Sequence, residues 1–193
     1  MSDIAAKFVQ AFIPIFVAMD PIGLAAIFLA LAGGVPPETR RRIANQAAWT
    51  AGGVALLFLL LGTSIFAALG ITASDFQIAG GLILFLLASR DLAHSAAEAP
   101  PKLADDFGVV PLGMPLIAGP ASITTLILLS QTIGVIITLA ALAVNLMLVV
   151  LAFRYSEKFV SWIGSAGMRA ISKIVSLLLA SIAVSMVRHG LTH

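Results

Sequence analysis

Cysteine is absent from the 193 residues, which excludes disulfides and thiolate metal sites and leaves the redox compartment unreadable. Charge is scarce too: Asp, Glu, Lys and Arg make up 10% of the chain against 60% hydrophobic residues. With a mean hydropathy of +1.09, that is too little polar surface to coat a soluble globule of this size. The only histidines, His94, His189 and His193, lie at or beyond the ends of apolar runs, and no His-Glu-x-x-His pattern occurs, so a zinc hydrolase has no ligand set. A two-aspartate intramembrane protease would need a second deep acid, which is missing, and Ser122 has no neighbouring base to make it a nucleophile. Neither enzymatic chemistry nor a cofactor is expected. The net charge of +2 and pI near 9.4 would suit a nucleic-acid partner, but the basic residues cluster at span ends, where membrane topology accounts for them.

What the chain has instead is a series of apolar runs of the roughly 18 to 20 residues needed to cross a hydrocarbon core of about 30 Å. The periodicity predicts an all-α, polytopic membrane protein with six transmembrane helices at about 8–32, 44–68, 74–93, 109–131, 133–154 and 167–188. The first run, which holds Asp20 and shows no small-residue cleavage pattern, reads as a retained span and not a removed signal. Gly33-Gly34-Val35-Pro36-Pro37 stops it, and Gly70-Ile71-Thr72-Ala73-Ser74 makes a short turn between spans two and three. A polar linker, 94–108, divides the chain into three-helix halves, 1–93 and 109–193. Arg40, Arg41, Arg42, Arg90, Lys102, Arg154, Lys158, Arg169 and Lys173 fall on one face of such a topology, and only Lys7 and Arg188 on the other. The positive-inside rule therefore predicts a plasma (cell inner) membrane protein with both termini outside.

Two spans carry prolines where a membrane helix would exclude them. In Asp20-Pro21-Ile22-Gly23 the residue before proline is pushed from helical φ/ψ and the proline cannot donate one turn back, so span one breaks at Asp20 and restarts at Pro21. Gly119-Pro120-Ala121-Ser122-Ile123 repeats the device in span four. Both breaks lie roughly 17 Å into their spans at ~1.5 Å per residue, near mid-bilayer. With spans of opposite polarity in the two halves, the pattern predicts two inverted three-helix repeats with helices 1 and 4 discontinuous, an arrangement typical of secondary transporters.

At each break a proline opens a half-helix behind a favourable N-cap, and the exposed N–H groups with the helix dipole suit an anion. Asp20 supplies a carboxylate at the first break, whereas the second offers only Ala121, Ser122 and Ile123 amides and the Ser122 hydroxyl. A small zwitterionic substrate fits that asymmetry, its ammonium toward Asp20 and its carboxylate toward the amides after Pro120. An isolated carboxylate at mid-membrane costs at least ~2.5 kcal/mol, which favours a functional role, with a coupling proton or sodium ion as a further partner. The alternative is that Asp20 only caps a helix and Gly119-Pro120 only kinks one. Asn145, midway along span five, is the strongest of the other intramembrane polar residues, a group that includes Asn45, Gln46, Gln77, Thr124 and Thr125. Asp75 reads as an N-cap or interfacial residue, the Gly52-Gly53 and Gly80-Gly81 pairs as close-packing surfaces, and Trp49 and Trp162 as interface anchors.

The runs Asp20-Pro21-Ile22-Gly23, Asp75-Phe76-Gln77-Ile78-Ala79-Gly80-Gly81-Leu82-Ile83-Leu84-Phe85 and Pro111-Leu112-Gly113-Met114-Pro115-Leu116-Ile117-Ala118-Gly119-Pro120-Ala121-Ser122-Ile123-Thr124-Thr125 together resemble the MarC family of bacterial and archaeal inner-membrane proteins. The resemblance covers essentially the whole chain. It implies six spans in inverted three-helix repeats, transport of small neutral amino acids of the glycine and alanine class, and Asp20, Pro21, Gly119, Pro120, Ala121 and Ser122 as the substrate region. A non-transporting structural or regulatory membrane protein, and a passive channel or drug exporter, are the alternatives. Self-association into a homo-oligomer stays open.

Overall fold

The computed structural model describes residues 2–32, 35–93 and 106–192. Most of the expected linker, the Gly33-Gly34 stop and the side chains of Arg90, Lys158, Trp162 and Arg169 lie outside the described positions. Among the described residues every regular element is helical: α1 (Ser2–Met19), α2 (Pro21–Ala32), α3 (Pro37–Leu69), α4 (Ala73–Ala93), an irregular wide-turned segment (Gly108–Ile117), α5 (Pro120–Thr132) and α6 (Val135–Thr192).

Local chemistry sets these boundaries. The first turn of α1 carries an Asp3–Lys7 ion pair of 3.0 Å. Pro37 starts α3, where its missing N–H costs nothing. The helix therefore begins several residues before the predicted 44, because Glu38 and Arg40–Arg42 are good helix formers despite their charge. Gly70, at φ 64°, closes α3 by sending its N–H back to Ala67 O while Ile71 N–H bonds to Phe66 O. Thr72 and Asp75 then cap α4 reciprocally: Asp75 Oδ2 accepts from Thr72 N–H at 2.8 Å, and Thr72 Oγ1 accepts from Asp75 N–H at 3.1 Å. Thr72, and not the expected Asp75, is therefore the N-cap of α4, with Asp75 the third helical residue reaching back to it.

Three apolar helical stretches are long enough to cross a membrane unaided: Asp3–Leu29, Pro37–Leu69 and Val135–Ser156. A fourth arises if Gly108–Ile117 and Pro120–Thr132, bent by 54°, form one span, and among the described residues Ala73–Leu86 of α4 and Leu177–Thr192 of α6 are apolar too. These stretches fall where the sequence places its spans. One difference is the expected gap between spans five and six, which the backbone of α6 fills with helix over 58 residues. No proline occurs there, and Glu157 and Lys158 oppose membrane burial, not helix formation.

The buried core runs through the whole bundle, with α6 packing on each of the other helices. Phe28 of α2 stacks on Phe153 of α6 with centroids 4.3 Å apart, and Ala44, Ala47, Ala51 and Ala55 present the buried face of α3. Toward the chain's end α6 packs on α4 at small residues: a β-carbon on Gly81 would lie 2.8 Å from Ala183 O and 2.9 Å from Val187 Cγ2. Such contacts are how helices pack when hydrophobic burial cannot drive association in lipid.

Candidate functional site

The first break is a single residue wide. Asp20 N–H still bonds to Phe16 O at 2.9 Å, ending α1 in the ordinary way, but Asp20 itself adopts φ 46°, the left-handed region that Asp and Asn tolerate best after glycine. That turn aims its side chain forward. Asp20 Oδ1 accepts from Gly23 N–H at 3.0 Å, and Asp20 O accepts from Leu24 N–H at 2.9 Å. The carboxylate lies so close over Gly23 that any β-carbon there would run into Oδ2. Pro21 is buried, Ile22 is exposed, Gly23 is half-buried and Asp20 is exposed.

The second break is longer and differently built. Within Gly108–Ile117, Val110 and Met114 are extended, at φ −128° and −140°, each just before a proline. Ala118 N–H bonds five residues back, to Gly113 O at 3.0 Å, and Gly119 is extended at φ −88°, ψ 172°. A side chain on Gly119 would collide with Pro115 O. Pro120 opens α5, whose first backbone bond is Ile123 N–H to Gly119 O at 2.9 Å. The Ser122 hydroxyl lies 2.9 Å from both Ile117 O and Gly119 O and donates its proton to that pair. The amides of Ala121 and Ser122 have no partner among the described residues, as expected for the first turn of a helix without a capping side chain. Ser122 and Ile123 are buried, and Ala121 is exposed.

The two breaks are thus chemically complementary, one holding a carboxylate and the other bare amides. Their helices are neighbours, since α1, which runs up to Asp20, packs on α5, which starts at Pro120. Asn145 stands elsewhere. It is fully buried on α6, where Nδ2 donates to Ala141 O at 2.9 Å and Phe12 O at 3.3 Å, while Oδ1 is buried without a partner among the described residues. Phe12 precedes Asp20 by eight residues, or about 12 Å of helix, so Asn145 ties α6 to α1 below the break. Among the described residues no group of three or more His, Asp or Glu side chains is placed to hold a metal ion.

Two cavities open elsewhere on the bundle, and none of Asp20, Pro21, Gly23, Gly119, Pro120, Ala121 or Ser122 lines either. One, of about 590 Å³, lies between α3 and the irregular segment, with Arg42, Asn45, Gln46, Trp49 and Val109 in its wall. The other, of about 270 Å³, is lined by Phe28, Arg40, Arg41, Ala44, Phe153 and Arg154. In the sequence these arginines read only as a topology signal. Successive helical residues point about 100° apart, so the three arginines fan over about 200° of α3 and need not share one environment. Arg40 is the one that turns in, to 9% exposure.

Residues 5–193 match the MarC family of integral membrane proteins. The chain is 33% identical to the UPF0056 membrane protein YvbG of Bacillus subtilis, over 95% of this chain and 93% of that one. It is 31% identical to the UPF0056 inner membrane protein YhgN of Escherichia coli, over 96% of each. One UPF0056 membrane protein of Methanocaldococcus jannaschii is 33% identical over 98% of this chain and 88% of its own length. No solved structure matches the chain. With the family matching nearly end to end and such relatives aligned over almost their full length, the chain belongs to the MarC family of integral membrane proteins.

Proposed function

We propose that this protein is a secondary transporter of small neutral amino acids of the glycine and alanine class, working by alternating access in the cell inner membrane. In this reading all six apolar stretches cross the membrane in two inverted three-helix repeats that rock about the breaks. The observation that carries it is the contrast between the breaks: Asp20 brings a carboxylate to the start of α2, while the Ala121 and Ser122 amides at the start of α5 stand unpartnered among the described residues. A zwitterion matches that pair of charges, and the small residues Ala18, Gly23, Ala118, Gly119 and Ala121 restrict how large a side chain is needed or admitted. A coupling proton or sodium ion would bind at Asp20 Oδ2, which the cap to Gly23 leaves available.

The second reading, a non-transporting structural or regulatory membrane protein, draws on the same cap, because a carboxylate satisfied by Gly23 N–H needs no further duty. Purified protein in liposomes separates the two. Saturable uptake and counterflow of glycine or alanine, abolished by Asp20→Asn in a protein that still folds, is expected for the transporter. Absence of flux across a broad panel of zwitterions would sink that reading, and non-saturable flux would point to a channel.

A further inference from the structure

We propose that the cavity between α2, α3 and α6 is a binding site for a phosphate-bearing anion, gripped by Arg40, Arg41 and Arg154. The site lies apart from the breaks and does not depend on what the protein transports. Its starting point is Arg40. This residue is only 9% exposed, lines the cavity, and holds both Nε and Nη1 out of solvent with no hydrogen-bond partner among the described residues. A guanidinium cannot shed its charge by deprotonation, and a buried, unpaired one is strongly unfavourable unless something supplies acceptors. No carboxylate stands among the described residues that line this cavity. The ion pair between Asp3 and Lys7 involves none of these arginines.

The surroundings specify the ligand. Arg41 and Arg154, both exposed, complete a three-guanidinium rim over a floor made by the stacked rings of Phe28 and Phe153. Arginine forks match the geometry of phosphate oxygens, and an apolar floor strengthens each charge-assisted bond. A volume of about 270 Å³ equals roughly nine waters at ~30 Å³ each, room for a phosphoryl group with part of its hydration shell. Arg40 sits one turn into α3 and Arg154 near the end of the apolar stretch Val135–Ser156. The cavity therefore opens at the rim of the apolar belt, the level of phospholipid headgroups, where basic pockets between helices recognise anionic lipids. The phosphate comes either from such a headgroup or from a free anion, the shared chemistry being the phosphoryl oxygens.

The test is ligand-dependent thermal unfolding of the full chain in non-ionic detergent, titrated separately with short-chain phosphatidylglycerol, inorganic phosphate and chloride. Phosphatidylglycerol, phosphate or both should raise the Tm saturably, as a ligand that binds only the folded state must, and chloride at equal ionic strength should not. Saturation by phosphatidylglycerol alone assigns the site to lipid, and saturation by inorganic phosphate shows that a free anion suffices. Arg40→Gln and Arg154→Gln should each weaken the apparent Kd about ten-fold or more. Arg42→Gln, in the wall of the other cavity, should leave it unchanged. If Arg40→Gln does not fold, the exposed Arg154 decides. A Tm that responds to neither anion, an Arg154→Gln variant that binds like the parent, or an Arg42→Gln variant that loses as much as Arg40→Gln would each overturn the proposal.

Discussion

Asp20 holds the left-handed turn and the cap of α2 at once, and substitutions can take the two apart. Asparagine tolerates positive φ and retains an acceptor, so Asp20→Asn should unfold in detergent close to the parent. Glycine accepts the turn and loses little as a cap, about a few tenths of a kcal/mol. Alanine loses the cap, about 1 kcal/mol, and forces a β-carbon into the left-handed region, about 1 kcal/mol more. The expected order of apparent stability is Asn, then Gly, then Ala; an alanine variant as stable as the asparagine one would contradict φ 46° at this position. A double-mutant cycle checks the carboxylate's placement. Gly23→Ala should destabilise the parent, because the methyl meets Asp20 Oδ2, but cost little in an Asp20→Gly background. The helix break and the N-cap are legible in Asp20-Pro21. The left-handed turn is not, since proline at the next position disfavours helical φ/ψ without choosing among the remaining conformations. Nor does composition reveal that Ser122 spends its hydroxyl on the Ile117 and Gly119 carbonyls.

At the scale of elements, the two paired glycines show how far a sequence pattern reaches. Both pairs read as close-packing surfaces, but the structure separates them: Gly81 faces the backbone of α6, Gly52 lies at contact distance from Leu146, and Gly53 has open space where a β-carbon would stand. One substitution should then act with opposite signs. Gly81→Ala pushes α4 off Ala183 O and Val187 and should cost about 1–3 kcal/mol. Gly53→Ala, in the interior of α3, should gain about 0.5–1 kcal/mol from helix propensity alone. Thermal unfolding of the two variants in the same detergent checks this, and equal signs would mean that α4 does not pack on α6 as described. Likewise Pro120 marks the second break in the sequence, which there looks like a short interruption of a regular span. Pro111 and Pro115 instead make the preceding ten residues irregular, since each removes a backbone donor and clashes with the carbonyl one turn back, in two successive turns. The continuity of α6 escapes sequence reading for the converse reason: a polar stretch ends a membrane span without ending the helix, and no proline stands there to force a break.

For the whole molecule, the helix pairs include those that two related three-helix halves would make, whichever way each half is inserted. A two-fold exchanging spans one and four, two and five, and three and six would map each contact between spans one and five onto one between four and two. Both kinds occur: Asn145 on Phe12 O and Phe153 on Phe28 in the first, Gly62 against Ile127 and Gly113 against Thr50 in the second. Contacts between spans two and five, and between three and six, should map onto themselves, and Gly52 with Leu146 and Gly81 with Ala183 are such pairs. Topology then tests whether the shorter stretches cross. Because the chain has no cysteine, single introduced thiols report their side of the membrane without background. Thr72→Cys and Thr192→Cys should react with a membrane-impermeant maleimide in intact cells, whereas Arg41→Cys and Ala170→Cys should react only after permeabilisation. The decisive comparison is Ala170 with Thr192, both exposed and both on α6. Opposite labelling requires the C-terminal part of α6 to traverse the bilayer; where an apolar stretch is short, local thinning and snorkelling flanks accommodate it at modest cost. Labelling on the same side would leave that stretch packed against α4 without crossing, give the halves different numbers of spans, and remove the inverted symmetry on which alternating access between the two breaks relies.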